Sequence, residues 1–518
     1  MNHRCRVVFS RLLSAFFLTQ TGLAPAGTSQ PLELHPDNPH YFRFRGKPAV
    51  LITSGEHYGA VLNLDFNYGK YLDALRKDGL NLTRTFSGAY VEPSGAFNIA
   101  SNTLAPVPHR FICPWARSET PGYPNGGNKF DLTKWDAAYF KRLKDFVAQA
   151  GRRGVVVEMN LFCPMYEESQ WRLSPQNAAN NVNGIGDVAR TNVYTLDRNG
   201  GLLAVQEAMT RKIVTELSGF DNVYYEICNE PYFGGVTIEW QRHIADVIVE
   251  TERGYLLQRS KRPTPGPSQE GNRNPARAAE LPSSGGAGGA FGATEGRHLI
   301  SQNIANDKAK VENPHPAVSI FNFHYASPPD TVAMNYGLNK VIGDNETGFR
   351  GTNDLPYRVE AWSFILAGGA LFNNLDYSFV AGGEDGTFVY PAKQPGGGNP
   401  AYRRQMRVLK DFINSFDFVK MKPLNSLLNG RVKGAARAYV LAEPAKAYAI
   451  YLAPGEAGST PREAVFSLEL PEGNYRAEWV DPLSGKVARR ETVKSKQGLV
   501  TLSSPPCRED IALKLVRK

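Results

Sequence analysis

Two short apolar runs in this sequence end in the same pair of residues. The run NVYYEIC is followed by Asn229-Glu230-Pro231, and the run NKVIGD is followed by Asn345-Glu346-Thr347. Two carboxylates brought to one place can divide acid–base work. One gives a proton to a departing oxygen while the other attacks the carbon that the oxygen leaves, which is what cleaving a glycosidic bond requires. Each motif alone also fits a bland reading. Asn, Glu and Pro are ordinary turn residues, and Asp344-Asn345-Glu346-Thr347-Gly348 could be a loop or a helix cap. The joint occurrence of the two is what points to chemistry.

The elements around them must bring the two glutamates together. From about residue 48 apolar β-like runs alternate with helical patterns, which implies βα units and a parallel sheet. Eight strands are predicted: Ala49–Thr53, Asn81–Phe86, Val155–Asn160, Val223–Cys228, Leu299–Asn303, Ile320–His324, Lys340–Gly343 and Ala370–Leu375. Several are continuous apolar runs, as strands buried on both faces should be. Helical spacing recurs over Trp135–Gln149, Leu203–Leu217 and Ile238–Glu250. Eight such units make a (β/α)8 TIM barrel, whose functional residues follow the C-terminal ends of the strands. Glu230 and Glu346 then stand on one rim, after strands four and seven. An open doubly wound sheet would use fewer strands, and no GxGxxG follows the first strand.

After about residue 425 the texture changes to short alternating strands with turns such as Asp481-Pro482-Leu483-Ser484-Gly485. The expected organisation is a barrel over 31–425 and a small all-β sandwich over 426–518. Residues 259–297 are rich in Pro, Gly, Ser and Ala and are expected to form a disordered insertion in the barrel. Residues 1–26 have the order of a secretory signal peptide: Arg4 and Arg6, the apolar run Leu12–Leu18, then Ala24-Pro25-Ala26. A secreted or periplasmic protein, off the membrane once the signal is cleaved, is the expectation.

The net charge of +9 does not indicate a nucleic-acid partner. Residues 1–26 hold three arginines and no acid, and residues 259–297 hold six basic against three acidic residues, so +3 remains elsewhere. Cys113, Cys163, Cys228 and Cys507 lack metal-ligand spacing. A Cys113–Cys163 disulfide is conceivable, and free thiols are the blander reading. No HxH, HExxH or EF-hand spacing occurs, so neither a metal nor another cofactor is expected.

On Asn229-Glu230, Asn345-Glu346, Arg84 in Asn81-Leu82-Thr83-Arg84, and His324-Tyr325, the chain resembles glycoside hydrolase clan A, the superfamily of family 5 cellulases, mannanases and apiosidase-like enzymes. The resemblance spans residues 32–425. It implies a retaining glycosidase acting on a poly- or oligosaccharide, with Glu230 as acid/base and Glu346 as nucleophile. It further implies that Asn229 bonds the sugar 2-hydroxyl, that Arg84 keeps the nucleophile ionised, and that His324 or Tyr325 touches it. The negative nucleophile and apolar surroundings are expected to raise the pKa of Glu230. The C-terminal segment, with Gly473-Asn474-Tyr475 and Trp479-Val480-Asp481-Pro482, resembles modules that follow apiosidase-like barrels and are labelled collagen-binding by homology.

The sequence departs from the clan in places. The third strand ends in Glu158-Met159-Asn160 where the clan often has a His, making Asn160 a substrate-binding candidate. The eighth ends in Asn373-Asn374-Leu375-Asp376-Tyr377 where a Trp platform is usual, and Asn374 and Tyr377 become the candidates there. Glu56-His57-Tyr58 after the first strand could shape the sugar subsite, or Glu56 and His57 could simply decorate the rim. Arg84 could instead pair with a structural acid, His324 could be a bonded core histidine, and Tyr325 and Tyr377 could be packing aromatics. A sugar-binding barrel without turnover and a transglycosylase remain alternatives at this stage.

Overall fold

In the computed structural model, which describes residues 30–260, 296–454, 461–496 and 498–518, the eight apolar runs lie side by side as parallel strands. They are β1 (Leu51–Gly55), β2 (Leu82–Phe86), β3 (Val156–Phe162), β4 (Val223–Cys228), β5 (Ile300–Asn306), β6 (Val318–His324), β7 (Val341–Thr347) and β8 (Leu371–Leu375). All but the end of β5 are fully buried, because helices cover the outside while side chains fill the inside. The expected signal peptide at 1–26 and nearly all of the expected insertion at 259–297 fall outside the described residues.

The strands run in the order β1-β8-β7-β6-β5-β4-β3-β2, so β1 and β2 must meet to close a barrel. They do so without a regular ladder. The Asn81 side chain stands in for one: its Oδ1 accepts from the Ile52 N–H at 2.9 Å and its Nδ2 donates to the Val50 carbonyl at 2.8 Å. At the top, the Phe86 N–H donates to the Tyr58 carbonyl at 3.0 Å. A three-stranded sheet within residues 33–49 covers the bottom, where Arg45 bonds Asp221 and the Gly151 carbonyl.

The register also departs from regularity where β7 meets its neighbours. Phe323 pairs with Asp344 and His324 with Glu346, which leaves Asn345 as an extra residue. In a regular strand, consecutive side chains point to opposite faces. The bulge lets Asn345 and Glu346 both turn toward the barrel interior, one deep and one at the rim.

The C-terminal strands form a six-stranded and a three-stranded antiparallel sheet. Their facing sides share one apolar core that includes Val440, Leu452, Phe466, Leu468, Trp479 and Leu502. The larger sheet begins at Lys422–Pro423, ahead of the expected residue 426. It packs on the barrel helices Asp354–Leu366 and Pro400–Asn414, with Trp362 stacked on Tyr451 at 5.4 Å and buried Arg358 paired to Asp510 at 2.8 Å. Among the described residues, no helix is long and apolar enough to cross a membrane.

The Asn81 bridge can be tested directly. Asn81→Ala leaves the Ile52 N–H and the Val50 carbonyl without their partner and should cost roughly 1–3 kcal/mol of stability. Thermal denaturation reads this as a clear fall in Tm. An unchanged Tm would mean that the backbone bonds from Asn81 to Ile52 and from Phe86 to Tyr58 hold the seam without that side chain.

Candidate active site

Glu230 follows β4 and Glu346 lies near the end of β7, on one rim of the barrel. One carboxylate oxygen of each and a nitrogen of His324 all lie within 4.8 Å of one another. His324 Nδ1 is 3.0 Å from Glu230 Oε1 and 3.5 Å from Glu346 Oε1, so the imidazole bridges the two acids. Its other nitrogen is held by Asn303. Both glutamates line a cavity of about 330 Å³, with His57, Tyr58, Tyr166, Asn229, Tyr325 and several phenylalanines around them.

Each carboxylate is satisfied by donors. Glu346 Oε1 accepts from the Tyr325 hydroxyl at 2.8 Å, and its Oε2 accepts from Tyr58 at 2.9 Å and Arg84 Nη1 at 3.2 Å. Glu230 Oε2 accepts from Tyr166 at 2.7 Å, while the Tyr232 hydroxyl sits between Glu230 Oε1, at 3.2 Å, and Asn306. Burial alone would push the Glu230 carboxyl up, but hydrogen bonds from His324, Tyr166 and Tyr232 outweigh it and hold it below the ordinary value. The expected upward shift is therefore reversed. The two acids and His324 are also ligand types that a divalent cation accepts, but O–H and N–H donors already occupy those oxygens here.

Beneath the rim lies a polar layer that the sequence reading did not anticipate. Arg84 is buried and reaches four partners: Nε donates to Glu158 at 2.7 Å, Nη1 to Glu346, and Nη2 to Glu226 and to Asn229 Oδ1 at 2.7 Å. Asn345 donates to both Glu158 and Glu226 at 2.8 Å, and Asn322 to Glu226 at 2.7 Å. Three carboxylates thus share one guanidinium. Burial and the neighbouring Glu226 push the Glu158 carboxyl up to about 8, so it carries a proton at neutral pH.

The candidates from the sequence separate into two groups. Glu230, Glu346, Asn229, His57 and Tyr325 line the cavity, while His324 and Arg84 contact its carboxylates from below. Asn160, Glu56 and Asn374 are corrections, because they point elsewhere. Asn160 donates to Glu226 inside the barrel at 3.1 Å, and Asn374 donates to Ser54 and the Leu375 carbonyl. Glu56 accepts from Thr103 and from the N–H groups of Gly59 and Ala60, tying down the turn that carries Tyr58. That turn is tight, since a Cβ on Gly59 would meet the Thr103 carbonyl at 2.1 Å. Tyr377 is buried behind the site, its ring 6.0 Å from that of His57, and does not line the cavity. Among the described residues Cys113, Cys163, Cys228 and Cys507 are free thiols, with no Cys113–Cys163 bond.

Tyr166 and Tyr232 were missed, and Tyr58, read only as part of a possible sugar subsite, holds an acid instead. A usable signal existed, since each lies within four residues of a barrel strand's C-terminal end. Backbone strain marks the same places. Among the described residues, twelve non-glycines have positive φ, and four of them line the cavity: Tyr58 (61°), Phe97 (54°), Glu230 (37°) and Tyr325 (55°). Such conformations cost of order 1–3 kcal/mol each and persist where surrounding contacts enforce them.

No protein-family model matches the chain, and no curated protein matches it either. Solved structures do. A chain from Bacteroides vulgatus assigned as a glycoside hydrolase superposes with a TM-score of 0.60 at 13% identity, over 96% of this chain and 84% of that one. A second glycoside hydrolase gives 0.57 at 12% identity, over 95% and 97%. A family 5 glycoside hydrolase from Bacteroides vulgatus gives 0.55 at 12% identity, over 94% and 93%. At these identities the likeness is one of fold, and it extends over barrel and sandwich together.

The proton on Glu158 has a measurable consequence. Its folded-state pKa, about 8, lies above the unfolded value near 4.5, so folding retains a proton that the unfolded chain has lost. Its contribution to stability should fall as pH rises from about 4.5 to about 8 and level off above that. Glu56 and Glu360 are pushed into the same range by burial, so the variant must be compared with the parent. In Glu158→Gln the drop in Tm between pH 5 and pH 8 should be smaller than in the parent protein. An equal drop would mean that Glu158 is ionised throughout.

Proposed function

We propose that this chain is a retaining glycoside hydrolase in which Glu346 is the nucleophile and Glu230 the acid/base. One observation carries the reading: an oxygen of Glu230 and an oxygen of Glu346 lie within 4.8 Å of each other at the barrel rim. Retaining enzymes hold their two carboxyl groups roughly 5–5.5 Å apart, whereas inverting ones need roughly 6.5–9.5 Å to admit a water. So close an approach of the two oxygens supports the shorter, retaining separation.

In the first step Glu346 forms a bond to the anomeric carbon as the bond to the leaving oxygen breaks, and Glu230 gives that oxygen its proton. In the second step Glu230 takes a proton from water, whose oxygen displaces Glu346 from the same carbon. Sugar and alcohol leave, and both carboxyl groups return to their starting states. Arg84, Tyr58 and Tyr325 orient Glu346 for attack, and Asn229, itself held by Arg84, faces the cavity beside it. The sequence over residues 1–26 supports export, which N-terminal sequencing of the secreted protein would confirm by a start near residue 27.

Azide separates the two roles. Glu346→Ala should form no glycosyl-enzyme, and azide entering from the vacated face should give a product of inverted configuration. Glu230→Ala should still react with a dinitrophenyl glycoside, which needs little protonation, and should accumulate the covalent intermediate. Azide should then restore its turnover with retained configuration. Identical configurations from the two variants would overturn the assignment. A parent protein that binds glycans and cleaves none would replace it with a binding function.

A further inference from the structure

His324 meets both proposed catalytic acids through one ring nitrogen. Its Nδ1 is 3.0 Å from Glu230 Oε1 and 3.5 Å from Glu346 Oε1, while its Nε2 is held by Asn303. The two contacts pull in different directions. Carboxylates facing Nδ1 favour a fully protonated, charged ring, whereas an N–H donor facing Nε2 excludes a hydrogen there. Which of these holds depends on the end of the Asn303 amide that faces the ring.

The neighbouring amides answer that, starting from Arg84. Its Nε donates to Glu158 Oε1, so this oxygen is an acceptor. Asn345 Nδ2 lies 2.8 Å from the same oxygen and 2.8 Å from Glu226 Oε2, which also accepts from Asn322. Two acceptors on one side require the NH2 group of Asn345 and use both its hydrogens, which turns its carbonyl oxygen away. That oxygen faces Asn303 Nδ2 at 3.4 Å. Turned over, Asn303 would set its own carbonyl oxygen against it. As it stands, the Asn303 NH2 group gives one hydrogen to Asn345 and the other to His324 Nε2, while its Oδ1 is buried and accepts nothing. Nε2 is therefore the acceptor.

We infer that His324 is neutral, with its hydrogen on Nδ1, and that Asn303 is the positioning residue that keeps it so. The charged groups around the ring are Glu230 and Glu346, with Arg84, Glu158 and Glu226 in the layer below. The Tyr166, Tyr232 and Tyr325 hydroxyls bond the two acids from the side. The consequence for catalysis rests on the proposed glycosidase reading. An imidazolium at 3.0 Å would bind the Glu230 carboxylate about twice as strongly as a neutral N–H does, and would oppose the proton that Glu230 must carry. By taking the hydrogen-bond position at Nε2, Asn303 keeps the histidine a fixed donor and leaves Glu230 able to serve as an acid.

Isotope-labelled histidine, read by nitrogen NMR near neutral pH, reports the ring directly. The His324 signals are assigned by their loss in His324→Gln. In the parent protein Nδ1 should carry a hydrogen and Nε2 none. In Asn303→Asp, nearly the same size, the new carboxylate accepts from Nε2, so both nitrogens should be protonated. The alkaline limb of kcat/KM against pH reports the acid in the free enzyme. In Asn303→Asp it should move down by roughly one pH unit, a tenfold loss on that limb. Methyl glycosides should suffer more than dinitrophenyl glycosides, which need little protonation. A parent ring protonated on both nitrogens overturns the inference. The alkaline limb of Asn303→Asp should then move up, because the substitution would have added only a negative charge. The parent spectrum decides even if Asn303→Asp fails to fold. A neutral ring in a protein that cleaves no glycoside would keep the role of Asn303 and remove the glycosidase reading, and cleavage with a charged ring would do the reverse.

Discussion

The arrangement of the site depends on one guanidinium inside a closed barrel. Arg84 is the cation that Glu158, Glu226 and Glu346 share, and it also fixes Asn229. Its planar fork is what permits four directed contacts at once, and a lysine ammonium could not reproduce them. A buried carboxylate without a partner would be costly, so the identity of this residue sets the protonation of the layer below the rim. With one positive charge for three acids, burial and the neighbouring Glu226 push the Glu158 carboxyl up, and Glu346 at the rim keeps its hydrogen bond to Arg84.

Above that layer, geometry is obtained by departing from regular structure. The bulge in β7 turns two consecutive side chains inward, and positive φ at Tyr58, Glu230 and Tyr325 aims three more groups at one point. These features are unfavourable locally and are offset by the rest of the molecule. Each strained residue is also pinned through its side chain: the Tyr58 and Tyr325 hydroxyls bond Glu346, and Glu230 is held by His324 and Tyr166. Farther out, the barrel helices bury their outer face under the sandwich around Trp362, Tyr451 and the Arg358–Asp510 pair.

What the sequence disclosed follows from this physics. Strands buried on both faces must be apolar throughout, so all eight barrel strands could be found, as could the glutamates that end two of them. Edge strands of the sandwich carry no such mark. Val487–Ser495 reads VARRETVKS and is largely exposed, so no apolar run marks it as a strand. Depth along a strand was the second blind spot. Asn160 lies near the end of β3 and Asn374 near the end of β8, yet both bond within the barrel below the rim. The tyrosines that hold the acids come from turns, whose course no periodicity reveals.

The lowered pKa of Glu230 looks at first like an obstacle to its serving as an acid. The donors that lower it, however, are His324 and two tyrosine hydroxyls in the space where a leaving oxygen has to come. On the proposed mechanism, a glycosidic oxygen approaching Glu230 brings an acceptor to a place now filled by donors. If it displaces the Tyr232 hydroxyl toward Asn306, which already holds it, one of the interactions favouring the carboxylate disappears. His324 Nδ1, one hydrogen bond from Glu230 and 3.5 Å from Glu346, remains to favour whichever of the two carries the charge. On that reading Glu230 takes up a proton from solvent as the substrate enters, since its present hydrogen bonds favour the carboxylate.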